Sequence, residues 1–315
     1  MSSLPSPVRP GASPRGDRPQ LQLTSAKPAK KQRVRSLWHS FALNAILVTA
    51  CVVTLYPVLW VVKMAVSRID GMSLTPNPFP APDQVTLENF RALLGATDGD
   101  GRWLFGHQLF ASVIVSVATT IVGLVLAVTA AYALSRFRLP GRQASMQSLL
   151  ISQMFPATMM MVPLYAILQK LGMLNSLSGL VLVYSTTSLP FCVWMLKGYF
   201  DTIPKELEEA ATMDGASPLQ TFVRVVLPLA RPALAVTALF SFLTAWNEFI
   251  LAATLLNEAS RYTLPVALRM FVGEYNVEWG KFAAGALLVS APVMALFFAL
   301  QKHLVGGLTA GGVKG

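Results

Sequence analysis

Glu248 is the one acidic residue well inside a long apolar run of this sequence, 232–256, and it directly follows Trp246 and Asn247. An ionisable side chain at such a position is costly to insert, so it must face a path or a neighbouring helix. Three kinds of chemistry fit. The carboxyl can hold two helices together through a hydrogen bond. It can bind sugar hydroxyls with Asn247 and Trp246, since carbohydrate sites combine hydrogen-bonding groups with an aromatic face. It can also carry protons, as in a secondary transporter. We rank them in that order. A second group is the acidic stretch 201–215, where Glu206, Glu208 and Glu209 precede Ala210, Ala211, Asp214 and Gly215. Elsewhere little is poised for catalysis. His39, His107 and His303 lie near the ends of apolar runs, and Cys51 and Cys192 lie inside them, where they read as small hydrophobes. No Gly-x-x-x-x-Gly-Lys-[Ser/Thr] occurs, so the chain is expected to cradle no nucleotide and to bind no cofactor itself.

The elements that position these residues follow from composition. Of the 315 residues 54% are hydrophobic and 13% charged, against roughly 25% charged in a soluble domain. An ordinary soluble enzyme is thereby excluded. A spanning helix needs about 20 mainly apolar residues, and six runs qualify: 41–62, 109–134, 146–168, 180–196, 232–256 and 282–304. Pro156 and Pro163 interrupt the third and Pro190 the fourth; Gly172, Asn175 and Gly179 alone separate these two. The expectation is an all-α integral membrane protein with six transmembrane helices. The first run is too long for a secretion signal and no small-residue cleavage pattern follows it, so it reads as an uncleaved anchor.

The net charge of +10 is mostly a topology signal. With the N-terminus inside, 17 of the 25 Lys and Arg fall in cytoplasmic segments and seven in the opposite loops, with Lys63 at a helix end. Both termini are therefore expected in the cytoplasm. Eight of these cations crowd residues 1–37, a Pro-, Ser- and Arg-rich stretch expected to be a disordered tail beside membrane lipid. Nucleic acid is not an expected partner. In the first outward loop, Leu87, Phe90, Leu93 and Leu94 stand at helical spacing, as one face of an amphipathic helix.

The loop between the fourth and fifth runs is more specific. Pro204 fits an early helical position, the three glutamates suit the positive end of the helix dipole, and Gly215 fits a left-handed stop. A second helix follows at once. Ser217 and Gln220 form a capping box, Pro218 suits the first turn, and Leu219, Phe222, Val223 and Val226 are spaced as one buried face. Leu227-Pro228 closes it.

Glu209-Ala210-Ala211, three residues, Gly215, nine residues and Val225-Val226-Leu227-Pro228 resembles the EAA motif of binding-protein-dependent ABC importer permeases, with Val225 in place of the usual Ile. Residues 242–249 are similar to the fifth span of carbohydrate permeases, and 304–315 to the ending of maltose/maltodextrin permeases of the MalG type. The likeness covers about residues 38–315.

That resemblance implies an ABC type I importer permease architecture, a domain over 38–305 with its coupling loop at about 201–228, in a bacterial inner membrane. It implies three kinds of partner: a second permease, an ATPase homodimer that carries ATP and Mg, and an extracytoplasmic sugar-binding protein. Glu209, Ala210, Ala211, Asp214 and Gly215 would dock on the ATPase, with Leu227 and Pro228 tying them to the fifth span. The Gly-rich segment 306–315 would be a flexible tail reaching towards that ATPase. Tyr262, Arg269, Phe271 and Tyr275 in the last outward loop would touch the binding protein, whereas Trp279 reads as an interfacial anchor. The implied cargo is maltose or maltodextrin, with trehalose or a related sugar as the nearer alternative. A cation-coupled transporter would show internal repeats and several intramembrane ionisable residues; here there is one acid and no convincing repeat.

Overall fold

The computed structural model describes residues 30–68, 77–273 and 277–312. Two compact units are distinguished, 1–55 and 56–315. In the first, the described residues belong to α1 (Lys30–Ala65), whose Trp38, Phe41, Ile46, Leu47, Val52 and Val53 are all exposed. A helix apolar on every side and unburied has the surface of a membrane span. The expected basic tail falls largely on 1–29, outside the described residues, while the backbone of 30–37 is already helical.

The regular elements among the described residues of the second unit are all helices, apart from isolated bridges. A 3₁₀ turn (Pro82–Gln84) leads to α2 (Glu88–Leu94), which is followed by α3 (Leu104–Arg136), α4 (Arg142–Ser152), α5 (Ala157–Lys170) and α6 (Leu177–Thr202). Then come α7 (Glu206–Met213), α8 (Pro218–Thr221), a π-helical turn (Phe222–Val226), α9 (Leu227–Leu229) and α10 (Arg231–Trp246). The chain ends with α11 (Ile250–Leu255), a 3₁₀ turn (Ala259–Arg261), α12 (Leu264–Arg269) and α13 (Trp279–Gly312).

The centre is α3 packed against α6 and α10. The middle of its buried face is rich in small residues: Ala111, Ser112, Ser116, Thr119, Gly123, Ala127 and Ala131. Small side chains let helices approach closely in a membrane, where packing rather than water expulsion holds them together. At Gly123 three helices converge, since a Cβ there would lie 3.5 Å from both Ser188 Oγ and Ser241 Oγ. Towards one end, Leu134, Leu196, Phe200, Val226 and Ala230 continue the core; towards the other, Leu168, Leu180, Tyr184, Leu251 and Leu255 do.

By length and apolarity, four described helices can each cross a bilayer: Trp38–Ala65, Leu104–Arg136, Leu177–Thr202 and Trp279–Gln301. Pro218–Leu229 with Arg231–Trp246 makes a fifth if a pair bent by 77° counts as one. Two expected spans are interrupted. The run 146–168 forms α4 and α5, because Pro156 has no N–H and drives Phe155 out of helical geometry. Pro190 and Pro163 stay inside helices. Helix α6 lies along α3, whereas residues 151–156 are exposed. The run 232–256 is split at Asn247–Phe249 into α10 and α11.

Three smaller expectations change. Helix α2 exists, but it buries Asn89 and Leu93 and leaves Leu87 and Leu94 exposed. Asn89 sets that rotation by donating to Ala65 O and Ser67 O, both at 3.0 Å. The segment after α11, expected as an outward loop, is largely packed: Leu264, Val266, Ala267 and Leu268 of α12 are buried, and Ser112 Oγ on α3 accepts from Leu264 N at 2.7 Å. Finally, the backbone of 306–312 continues α13, with no proline after Pro292 to stop it.

Candidate functional site

The acidic loop forms the expected helical corner. Helix α7 begins at Glu206 with Lys205 at its N-cap, so Pro204 precedes the helix instead of entering its first turn. At the other end Ala216 N donates to Ala211 O and Gly215 N to Thr212 O, both at 3.0 Å. This paired closure requires a left-handed residue after the cap, and Gly215 supplies it with φ +86°. Asp214 is the C-cap. The capping box is present: Gln220 N donates to Ser217 Oγ at 3.3 Å, and Ser217 N to Gln220 Oε1 at 2.9 Å.

The expected buried face of the second helix is corrected. Thr221 and Val226 are buried and Phe222 partly so, but Leu219 and Val223 are 71% and 50% exposed. Leu227 N donates to Phe222 O, five residues back, in a π turn just before Pro228. A proline ring clashes with the carbonyl four residues earlier, and a widened turn relieves that conflict. The extra residue rotates Val226 into the core and leaves Leu219 and Val223 outside. Leu227 and Pro228 are half-buried at the junction with α10, and helix 218–229 runs through them. With Leu207 and Met213 (84% exposed), Leu219 and Val223 make the corner apolar outside. Glu209, Ala210, Asp214 and Gly215 share this exposed surface, while Ala211 is half-buried.

The sequence reading missed how the corner is fixed to the bundle. Glu208 Oε1 accepts from Arg136 Nε at 2.5 Å and Glu208 Oε2 from Tyr132 Oη at 2.9 Å. The Arg136 and Glu208 side chains are 8% and 14% exposed. Arg136 also donates to Ile203 O at 3.1 Å, and the Tyr132 ring lies 4.5 Å from that of Phe222. A second tie joins Asp201 to Ser135 Oγ at 2.6 Å and to Lys197 Nζ at 2.5 Å. Glu208 was legible as an acid suited to a helix N-terminus and Arg136 as a topology charge; their meeting needs the fold. Beside them is a cleft of about 420 Å³ lined by Tyr132, Arg136, Lys205, Glu208, Glu209 and Thr212.

The triplet 246–248 does not share one surface. Trp246 is 1% exposed and stacks on Phe242 with ring centroids 5.4 Å apart. Asn247 is exposed and donates to Leu243 O at 2.9 Å. Glu248 accepts from Tyr184 Oη of α6 at 2.6 Å, from Leu251 N at 2.8 Å and from Ala252 N at 3.0 Å. Its carboxyl thus joins two helices and closes the start of α11.

At that end of the bundle Tyr262 and Phe271 are half-buried around a cavity of about 410 Å³, with Phe105 and Gln108. Arg269 is exposed and donates to Val272 O. Tyr275 lies outside the described residues. Asn175, at φ 52°, donates to Glu258 Oε1 at 2.7 Å and accepts from Asn257 N at 3.0 Å, fastening the α5–α6 turn to the segment after α11.

The family described as binding-protein-dependent transport system inner membrane component matches residues 120–309. The chain is 37% identical over 281 residues to the diacetylchitobiose uptake system permease protein DasC of Streptomyces coelicolor, covering 89% of this chain and 99% of that one. It is 36% identical over 318 residues to the maltose/maltodextrin transport system permease protein MalG of Yersinia pestis, with 94% and 99% covered. The trehalose transport system permease protein SugB of Mycobacterium tuberculosis is 36% identical over 263 residues, with 83% and 93% covered. The fold is shared with a chain from the crystal structure of a bacterial ABC transporter involved in import of the acidic polysaccharide alginate. The TM-score is 0.69 at 22% identity, over 88% of this chain and 99% of that one.

Proposed function

Since the chain belongs to the family of inner membrane components of binding-protein-dependent transport systems, we propose that it is one permease half of an ATP-driven sugar importer with maltose or maltodextrin as cargo. Its partners are a second permease, an ATPase homodimer holding ATP and Mg, and an extracytoplasmic sugar-binding protein. The chain itself is non-catalytic, with both termini in the cytoplasm. Relatives named for three different sugars resemble it almost equally, which favours trehalose or diacetylchitobiose as the second reading of the cargo.

The observation that carries the proposal is the corner at Gly215. Apolar side chains at 207, 213, 219 and 223 face outward from a rigid, doubly closed turn, while Glu208 anchors its inner side to Arg136. A surface that is apolar outside and anchored inside is suited to receive a partner and pass its movement on. Closure of the ATPase pushes α7 and α8, and alternating access follows as α3 and α10 shift with them. Asn247, and on the outer side Tyr262, Arg269, Phe271 and Tyr275, remain the proposed contacts with cargo and binding protein.

The test is reconstitution with the neighbouring transport genes and uptake of labelled maltose, trehalose and diacetylchitobiose. ATP-dependent uptake of one of them is expected. Uptake driven by a proton gradient without ATP would overturn the assignment.

A further inference from the structure

Helix α10 follows the corner directly in the chain, through Leu227, Pro228 and α9, yet it is held to α3 by packing alone. Among the described residues no hydrogen bond or ion pair joins α10 to α3. The polar ties lie elsewhere: α3 is joined to α6 by Ser135 Oγ and Asp201 at 2.6 Å, and α6 to the segment beyond α10 by Tyr184 and Glu248.

The crossing of these three helices is nevertheless rich in hydroxyls. Ser116 and Thr119 of α3, Ser185 of α6 and Ser241 of α10 are buried, and among the described residues none of these hydroxyls has a hydrogen-bond partner. At Gly123, one turn from Thr119, a Cβ would lie 3.5 Å from Ser241 Oγ and from Ser188 Oγ, one turn from Ser185. A buried hydroxyl without a partner costs free energy. Serine and threonine in a helix escape that cost by donating to a carbonyl one turn back, as Thr120, Ser188 and Thr237 do on these same helices. The four at the crossing do not, and their hydrogen-bonding capacity is unused. Small side chains let helices lie close without interlocking, so α10 can slide along α3 without breaking a hydrogen bond.

We propose that this seam is a slideway whose hydroxyls pair across the helices in the alternate transport conformation. The bonds formed there offset part of the cost of displacing α10. This rests on the importer reading, which supplies the second conformation.

The experiment uses the complete transporter in two states, nucleotide-free and trapped with ATP and vanadate. Thr119→Val and Ser241→Ala each delete a hydroxyl with little change of volume. Each relieves the described packing and removes a hydrogen bond from the alternate one. The thermal midpoint of this subunit should therefore move in opposite directions in the two states, by about 2–4 °C each. Uptake should fall about tenfold, because the cycle must pass through the alternate conformation. Thr237→Val deletes a hydroxyl that already donates to Ala233 O at 2.8 Å, and should move both midpoints the same way.

Midpoints that move together in Thr119→Val and Ser241→Ala overturn the proposal, a fall in both being the mark of hydroxyls served by a fixed partner such as a buried water. Unchanged midpoints with normal uptake overturn it too. If the unsubstituted transporter shows neither ATP-dependent uptake nor vanadate trapping, the importer reading fails and the slideway with it. Uptake and trapping that persist while the midpoints move together defeat the slideway alone.

Discussion

Arg136 Nε, in the last turn of α3, stands 2.5 Å from Glu208 Oε1 in the first turn of α7. The two residues are 72 positions apart, and almost all of both side chains is out of solvent. The pair makes α3, the central helix of the bundle, a direct recipient of any movement of the corner, alongside the covalent route through Pro228 to α10.

Removing one member of such a pair leaves an uncompensated charge and costs about 3–5 kcal/mol, whereas replacing both by apolar residues is often neutral. Arg136→Leu and Glu208→Leu should each lower the thermal midpoint and abolish uptake. The double variant should recover much of the midpoint but not the uptake, because it restores packing without the tie. Additive thermal losses in the double variant would show that the residues are not coupled.

Gly215 is held by its conformation, since a Cβ there meets nothing within 4 Å. A left-handed residue other than Gly costs roughly 1–2 kcal/mol, and Asn tolerates the region best. Gly215→Val should therefore lose coupled uptake, while Gly215→Asn retains most of it. Wild-type uptake with Val would sink the corner argument.

The exposed apolar corner predicts a separation of stability from assembly. Leu219→Glu and Met213→Glu change largely exposed side chains, so the isolated permease should shift by about 0.5 kcal/mol or less. Co-purification of the ATPase should nevertheless fall at least several-fold. Unchanged assembly in both variants would remove the proposed docking surface.

Glu248 and Tyr184 predict an unaltered pH profile. If the carboxyl works by hydrogen bonds, Glu248→Gln keeps one oxygen to accept from Tyr184 and Ala252 but turns its NH2 towards Leu251 N, so uptake should fall in part while keeping its dependence on pH. Tyr184→Phe should destabilise by about 1–2 kcal/mol through the bond it deletes. Proton coupling would show as selective loss of pH-dependent uptake in Glu248→Gln.

Local rules made the corner legible. Gly215, Ser217 and Gln220 act on neighbours within five positions, and chain spacing alone fixes what they do. Leu219 and Val223 were misread because periodicity identifies an apolar face without saying what covers it, and a π turn set by Pro228 altered which residues face inward. The partner of Glu248 lies 64 positions away, beyond any spacing argument. Prolines were ambiguous for a related reason. Pro57, Pro190 and Pro292 sit within helices, while Pro156 stands at the break before α5, and spacing alone does not tell them apart.

The 77° bend between Leu229 and Arg231 makes residues 218–246 a bell crank. Ala230, fully buried among Leu196, Phe200 and Val226, is its fulcrum. At 1.5 Å per residue the two arms measure about 18 and 24 Å, so a push across the first would leave as sideways swing of the second, enlarged by roughly a third. The swinging tip is Trp246, two residues from the carboxyl that grips Tyr184. In the proposed coupling, a push at Met213 would reach α6 at the far end of the bundle through this bend.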